Sequence, residues 1–243
     1  MKNFLTANWK NLIMINFEVT PKLLLPFVPA GTELDLWKNK AFVSIIAFLF
    51  DEVKVLGIPA IGNKQFEELN IRFYIKRLDG KNIKRGVAFV KEIVPKPLVT
   101  RIANFFFSEH YQTMKMSHEF SFTCINQKEI QNLEYIVKKD KFHRFSARLT
   151  SKLIDMEEGS FEEFIAEHYW GYSRVSDYKT IEYKVQHPKW KIFKESDIVF
   201  KCDFEKLYGN QWKFLNLKEP HSAFVAQGSK VSVGFPQAII LKK

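Results

Sequence analysis

A 243-residue chain with 46% hydrophobic and 26% charged residues has the balance of a globular protein, which excludes collagen-like and disordered classes. Two cysteines, Cys124 and Cys202, are too few for a disulfide framework or a cysteine zinc site, and the longest apolar run, residues 41–50, spans about half of a transmembrane helix. The net charge of +10 raises the question of an anionic partner, yet the lysines are spread along the chain. The densest stretch, Lys138, Lys139, Lys141, Arg144 and Arg148, is interrupted by Asp140 and reads as a solvated strand face or turn, so no nucleic-acid partner is expected.

Asn8 and Lys10 break the first apolar run and no cleavage-site pattern follows, so a cytoplasmic location without membrane association is expected. Pro21 begins a short helix over 21–27. Residues 32–36 and 40–50 flank Trp37-Lys38-Asn39 and read as a hairpin. The strand at 66–77 alternates clearly, Asp79-Gly80 marks a turn, and 86–94 returns as its partner. Pro97 stands at the first position of a helix reaching Phe107. Further strands are expected at 118–125, 133–137, 144–153, 180–187, 198–202, 222–226 and 230–240. Ser160 and Glu163 form a capping-box pattern for a third helix, with Phe161, Phe164, Ile165 and His168 on one face. The expected class is α+β and strand-dominated, a barrel or sandwich with a few short helices, and no linker divides residues 1–243 into more than one domain.

Dinucleotide, P-loop, zinc-protease and serine-hydrolase motifs are absent, and no two of the six histidines fall three or four apart. No cofactor and no metal are therefore expected. The strand at 66–77 carries the chemistry. Its alternation puts Leu69, Ile71, Phe73 and Ile75 on one face and Glu68, Asn70, Arg72 and Tyr74 on the other. A two-residue Asp79-Gly80 turn would place Lys91 opposite Glu68. The polar face suits either water on one side of an antiparallel sheet or a ligand inside a closed one.

Several segments resemble the YqjF-like family of uncharacterised proteins: Phe4-Leu5-Thr6-Ala7-Asn8-Trp9, Val28 to Asp35, Phe66 to Arg72, Glu167 to Tyr172, His187-Pro188-Lys189-Trp190 and Pro220 to Phe224. That family is in turn similar to acetoacetate decarboxylase. The resemblance implies an antiparallel double-split β-barrel around a cavity, with Arg72, Asn70, Tyr74 and Lys91 as ligand-binding candidates and a small, acidic or carbonyl-containing molecule as the partner. Phe66-x-Glu68 resembles the decarboxylase segment that carries a catalytic glutamate. Lys91-Glu92-Ile93-Val94-Pro95-Lys96-Pro97 is similar to its lysine segment and puts Lys96 where the Schiff-base lysine stands.

Two positions depart from the decarboxylase pattern: Pro97 replaces a second lysine and Glu18 an arginine. Lowering an amine from about 10.4 to about 7 costs roughly 4–5 kcal/mol. The helix N-terminus at Lys96 supplies roughly 0.3–1 kcal/mol of that. Burial would have to supply the rest, and a surface lysine at a strand end is the competing reading.

Overall fold

A computed structural model describes residues 3–125, 128–150 and 152–241, with backbone alone at 124, 125 and 128, so the side chain of Cys124 lies outside the described residues. The principal strands are β1 (Leu5–Val19), β2 (Ala41–Val55), β3 (Phe66–Asp79), β4 (Asn82–Val94), β5 (Lys115–Ile125), β6 (Lys128–Lys138), β7 (Phe142–Thr150), β8 (Trp170–Arg174), β9 (Lys179–Gln186), β10 (Ser196–Lys201) and β11 (Ser222–Val233). The helices are α1 (Pro21–Leu24), α2 (Pro97–Phe107), α3 (Phe161–Ala166) and α4 (Phe204–Tyr208).

Seven strands form a ring in the order β11–β1–β2–β3–β4–β8–β9, closed where Val185 pairs with Val233 and Gln186 with Ser232. Its contacts are antiparallel except β4 with β8, where Trp170 pairs with Gly86 and Gly171 with Val87. A second antiparallel sheet runs β10–β7–β6–β5.

Side-chain alternation divides the ring into two faces. Leu69, Ile71, Phe73 and Ile75 are fully buried in one cluster with Leu133, Tyr135 and Phe145 of the second sheet and with Phe204 and Trp212. These large apolar contacts tie the outside of the ring to the four-stranded sheet and α4. The opposite face gathers Met14, Phe42, Ile46, Phe48 and Tyr74 with Phe164 and Ile165 of α3.

The helices predicted at 21–27 and from Pro97 are present, the first continuing into a 3-10 turn at Leu25–Phe27. Ser160 caps α3 by accepting the Glu163 N–H at 3.1 Å, while the Glu163 carboxylate accepts from the Gly159 N–H at 2.7 Å. His168 falls beyond the helix end, not on its face as expected, although it is buried.

Other expectations are corrected. Residues 32–36 do not form a hairpin with β2. Both edges of β2 are taken by β1 and β3, so Glu33–Leu34 pairs with β3 at Lys76 and Ile75. Only the Trp37–Lys40 bridge remains, around Lys38 and Asn39 in left-handed conformations with φ of 47° and 64°. Strands β1 and β8 and helix α4 were not anticipated. The strand expected at 144–153 is instead β7 and a separate Leu153–Asp155 strand, with Ser151 outside the described residues. Segments 222–226 and 230–240 are instead one continuous strand, β11, followed by Gln237–Ile240. Among the described residues no helix is long and apolar enough to cross a membrane.

Candidate functional site

Every strand of the ring contributes to the wall of one cavity of about 400 Å³. Its wall is mainly aromatic and aliphatic, with Trp9, Phe48, Phe50, Phe66 and Phe89 among the lining groups. Helix α2 adds Leu98, Val99, Ile102 and Ala103, and the loop after β2 adds Ile58 to Ile61. Concave, apolar sites with a few converging polar groups are the usual form of small-molecule sites.

The alternation of β3 aims Glu68, Asn70 and Arg72 into this wall. Tyr74 lies on the same face but outside the lining. Its hydroxyl is 2.5 Å from that of Ser44, and its ring packs on Phe164 and His168.

Lys91 does not face Glu68. The hairpin loop is Gly80-Lys81, because Asp79 pairs with Asn82. Pairing then runs regularly to Arg72 opposite Phe89, after which a bulge makes Ile71 the partner of Lys91. One extra residue reverses the face of everything beyond it. Lys91 consequently turns outward and donates to the Leu207 carbonyl at 2.8 Å. Glu92 takes the inward position opposite Asn70. The bulge thus exchanges an ammonium for a carboxylate behind the cavity wall.

Lys96 is also outside the lining. It is the N-cap residue of α2 and its ammonium donates to the Gly62 carbonyl at 3.0 Å, tying the helix to the loop across the cavity mouth.

The exchange at Lys91 and Glu92 sets the electrostatics of one end. Glu68 accepts from Asn70 Nδ2 at 2.8 Å and from the Tyr111 hydroxyl at 2.9 Å. Burial pushes its carboxyl up to about 7, against those two hydrogen bonds and with help from the charge of Glu109. Glu109 accepts from the Tyr183 hydroxyl at 2.5 Å, and burial raises it to about 7 as well. Glu92 is raised well above the ordinary carboxylate value, first by burial and then by Glu109 and Glu68. Three carboxyls held this way retain protons near neutral pH.

The other end is cationic. Arg72 is 8% exposed and donates from Nη2 to the Ile165 carbonyl at 3.0 Å, while its Nε–H has no partner. Among the described residues no carboxylate lies within ion-pair distance of it. His168 donates from Nε2 to Asp35 Oδ2 at 3.1 Å, and Arg85 donates to the same oxygen at 2.6 Å. Burial works against the Asp35 charge, but those bonds prevail and hold its carboxyl below the ordinary value. Burial also lowers His168 and His187 to about 4, so both imidazoles are neutral at pH 7. Arg72 is therefore the one fixed cation among the described lining residues.

Glu92, Glu109, Tyr111, Tyr183 and the Asp35–His168 pair were missed from sequence. They come from five separate segments; the family-like runs include Asp35, Glu92 and His168, and no local motif marks Glu109, Tyr111 or Tyr183. On the surface, several side chains of the basic stretch beginning at Lys138 have partners within the chain. Arg144 pairs with Glu134 at 2.5 Å, Lys141 with Asp203 at 3.1 Å, and Lys139 donates to the Lys206 carbonyl at 2.6 Å.

The profile of a family described as "Uncharacterized conserved protein", DUF2071, matches residues 6–230. The uncharacterised protein YqjF of Bacillus subtilis is 25% identical over 187 residues, covering 75% of this chain and 72% of that protein. An acetoacetate decarboxylase-like enzyme from Sphingomonas wittichii superimposes over 100% of this chain and 95% of its own, with a TM-score of 0.63 and 12% identity. Acetoacetate decarboxylase from Legionella pneumophila covers 96% of this chain and 86% of its own, with a TM-score of 0.61 and 9% identity. The enduracididine biosynthesis enzyme MppR, solved with pyruvate, covers 100% and 92% with a TM-score of 0.58 and 11% identity. At such identities the likeness establishes the acetoacetate-decarboxylase-like fold, as the family resemblance implied.

Proposed function

The chain belongs to the DUF2071 family of uncharacterised conserved proteins, and from that premise we propose that its ring cavity binds a small molecule bearing an acidic or carbonyl group. The observation that carries this reading is Arg72, a buried guanidinium in the wall of an apolar cavity with no carboxylate partner among the described residues. A buried charge left unpaired is costly, and an anionic ligand would complete its hydrogen bonds in the geometry guanidinium favours. Glu68, largely protonated below about pH 7, would donate to a carbonyl oxygen at the opposite end, with Asn70 and Tyr111 holding it in place. MppR, a structural neighbour, was solved with pyruvate, a molecule of this class.

The test is calorimetric titration with a panel of monocarboxylic acids. Arg72→Gln is expected to weaken binding at least tenfold, since hydrogen bonds to charged groups contribute about 1.5–3 kcal/mol. Its melting temperature should change little, because the guanidinium serves the ligand more than the core. Retained affinity in the variant, or no binding of any acid at millimolar concentration, would overturn the reading.

A lysine Schiff base is not part of it. No lysine is among the described lining residues, and Lys96 holds the loop carbonyl of Gly62. Borohydride treatment with acetoacetate is expected to leave no adduct on Lys96 in peptide mass mapping. An adduct that disappears in Lys96→Ala would restore the lyase reading.

A further inference from the structure

We infer that the ligand of this cavity is a monocarboxylic acid of about ten to thirteen non-hydrogen atoms in all, most of them in a bulky apolar body, rather than a short keto acid; this rests on the binding role proposed above. Volume is the first argument. At ~30 Å³ for each water-sized group, a 400 Å³ space holds about thirteen of them, and a four-carbon keto acid would fill about half. A half-empty site would leave either a void or water against aromatic walls, and both weaken binding.

The distribution of polarity is the second argument. Beyond Glu68, Asn70 and Arg72 of β3 and the group Glu109, Tyr111 and Tyr183, the polar lining is limited to Asn63 and the two neutral imidazoles of His168 and His187, whereas Phe48, Phe50, Phe66, Phe89 and Val99 offer no hydrogen bond to a second carboxylate or a sugar. One fixed cation, Arg72, matches one anionic group. Buried Glu68 and Glu109 would repel a dianion as they lose their protons.

The mouth is the third. Ile58, Ile61 and Leu98 belong to the cavity lining and are also 69%, 84% and 54% exposed. The loop after β2 and α2 thus each bring exposed apolar side chains to the entrance, beside Asn63 and the Lys96–Gly62 contact, so the body of a longer acid would gain contact as far as the opening.

The test uses the wild-type protein and its intrinsic tryptophan fluorescence, since Trp9 is in the wall. Pyruvate, acetoacetate, butanoate, hexanoate, octanoate, decanoate and phenylpyruvate are titrated, together with the amides of octanoate and decanoate. Affinity is expected to rise roughly fourfold per methylene buried, giving at least a tenfold preference for octanoate or phenylpyruvate over acetoacetate. The amides should bind at least tenfold more weakly than the acids, and Arg72→Gln should remove that difference. Short acids binding as tightly as long ones would overturn the size class while leaving the cavity reading intact. Amides equal to their acids would overturn the requirement for a charge. No binding by any member would overturn both this inference and the function it rests on.

Discussion

Glu68→Gln is expected to gain about 3 kcal/mol of stability on wild type between pH 4 and pH 8, the worth of moving a carboxyl from about 4.5 to about 7. In the wild type the folded state holds this proton more tightly than the unfolded chain does. Across the window from about 4.5 to about 7 the native state therefore binds more protons, and unfolding free energy falls as pH rises through it. Below the window both states are protonated and nothing is lost; above it the native protein contains a buried anion. Glutamine keeps the shape without the charge. Glu109→Gln is expected to behave alike, because the same burial raises it to about 7.

His168 and His187 act in the opposite sense. Their folded values near 4 lie below the ordinary 6.5, so their share of stability is present above that value and is lost as pH falls toward 4. The wild-type curve alone would mix the two effects, whereas the difference between wild type and variant isolates the carboxyl. Urea unfolding at pH 4, 6 and 8 measures it. A difference that does not change with pH would mean that Glu68 is solvated in the folded protein.

Gly228→Ala is expected to lower stability by about 3–5 kcal/mol, combining left-handed strain with a forced shift of packed backbone. Gly228 has φ of +81°, and a Cβ there would stand 2.1 Å from the Trp9 carbonyl oxygen. It pairs with Lys10, beside Asn11, whose own φ of 55° marks the bulge in β1. Residues with positive φ in two paired strands thus meet beside Trp9, which lines the cavity. Gly80→Ala is the control. With φ of +62° and no atom within 4 Å of the added carbon, it should carry only the conformational cost of about 1 kcal/mol. At roughly 2–4 °C per kcal/mol for a protein of this size, thermal melts separate the two variants. Equal melting temperatures would show that the Trp9–Gly228 approach relaxes freely.

What local pattern decided is clearest in β3. Strict alternation of Leu69, Ile71, Phe73 and Ile75 with Glu68, Asn70, Arg72 and Tyr74 is enough to sort the two faces, because a strand's side chains must alternate. The caps of α2 and α3 are local in the same way. Pro97 and Ser160 act on backbone groups within a turn of themselves.

β1 escaped detection because residues 12–17 are buried on both faces of the sheet and its polar break at Asn11 is a bulge, so no period of two survives. Whether the polar face of β3 met water or a cavity was likewise undecidable from alternation, since both need the same residues. Closure of the ring through β9 and β11 decided it, by bringing strands more than a hundred residues apart around one space. The inward place of Glu92 instead of Lys91 came from a single bulged residue, a feature set by the curvature of the closed sheet and invisible to a count of spacings. The charge of the site followed from that. Residue types and their alternation were written in the chain. Which of them shared a buried space, and so which protons they keep, depended on how the ring closed.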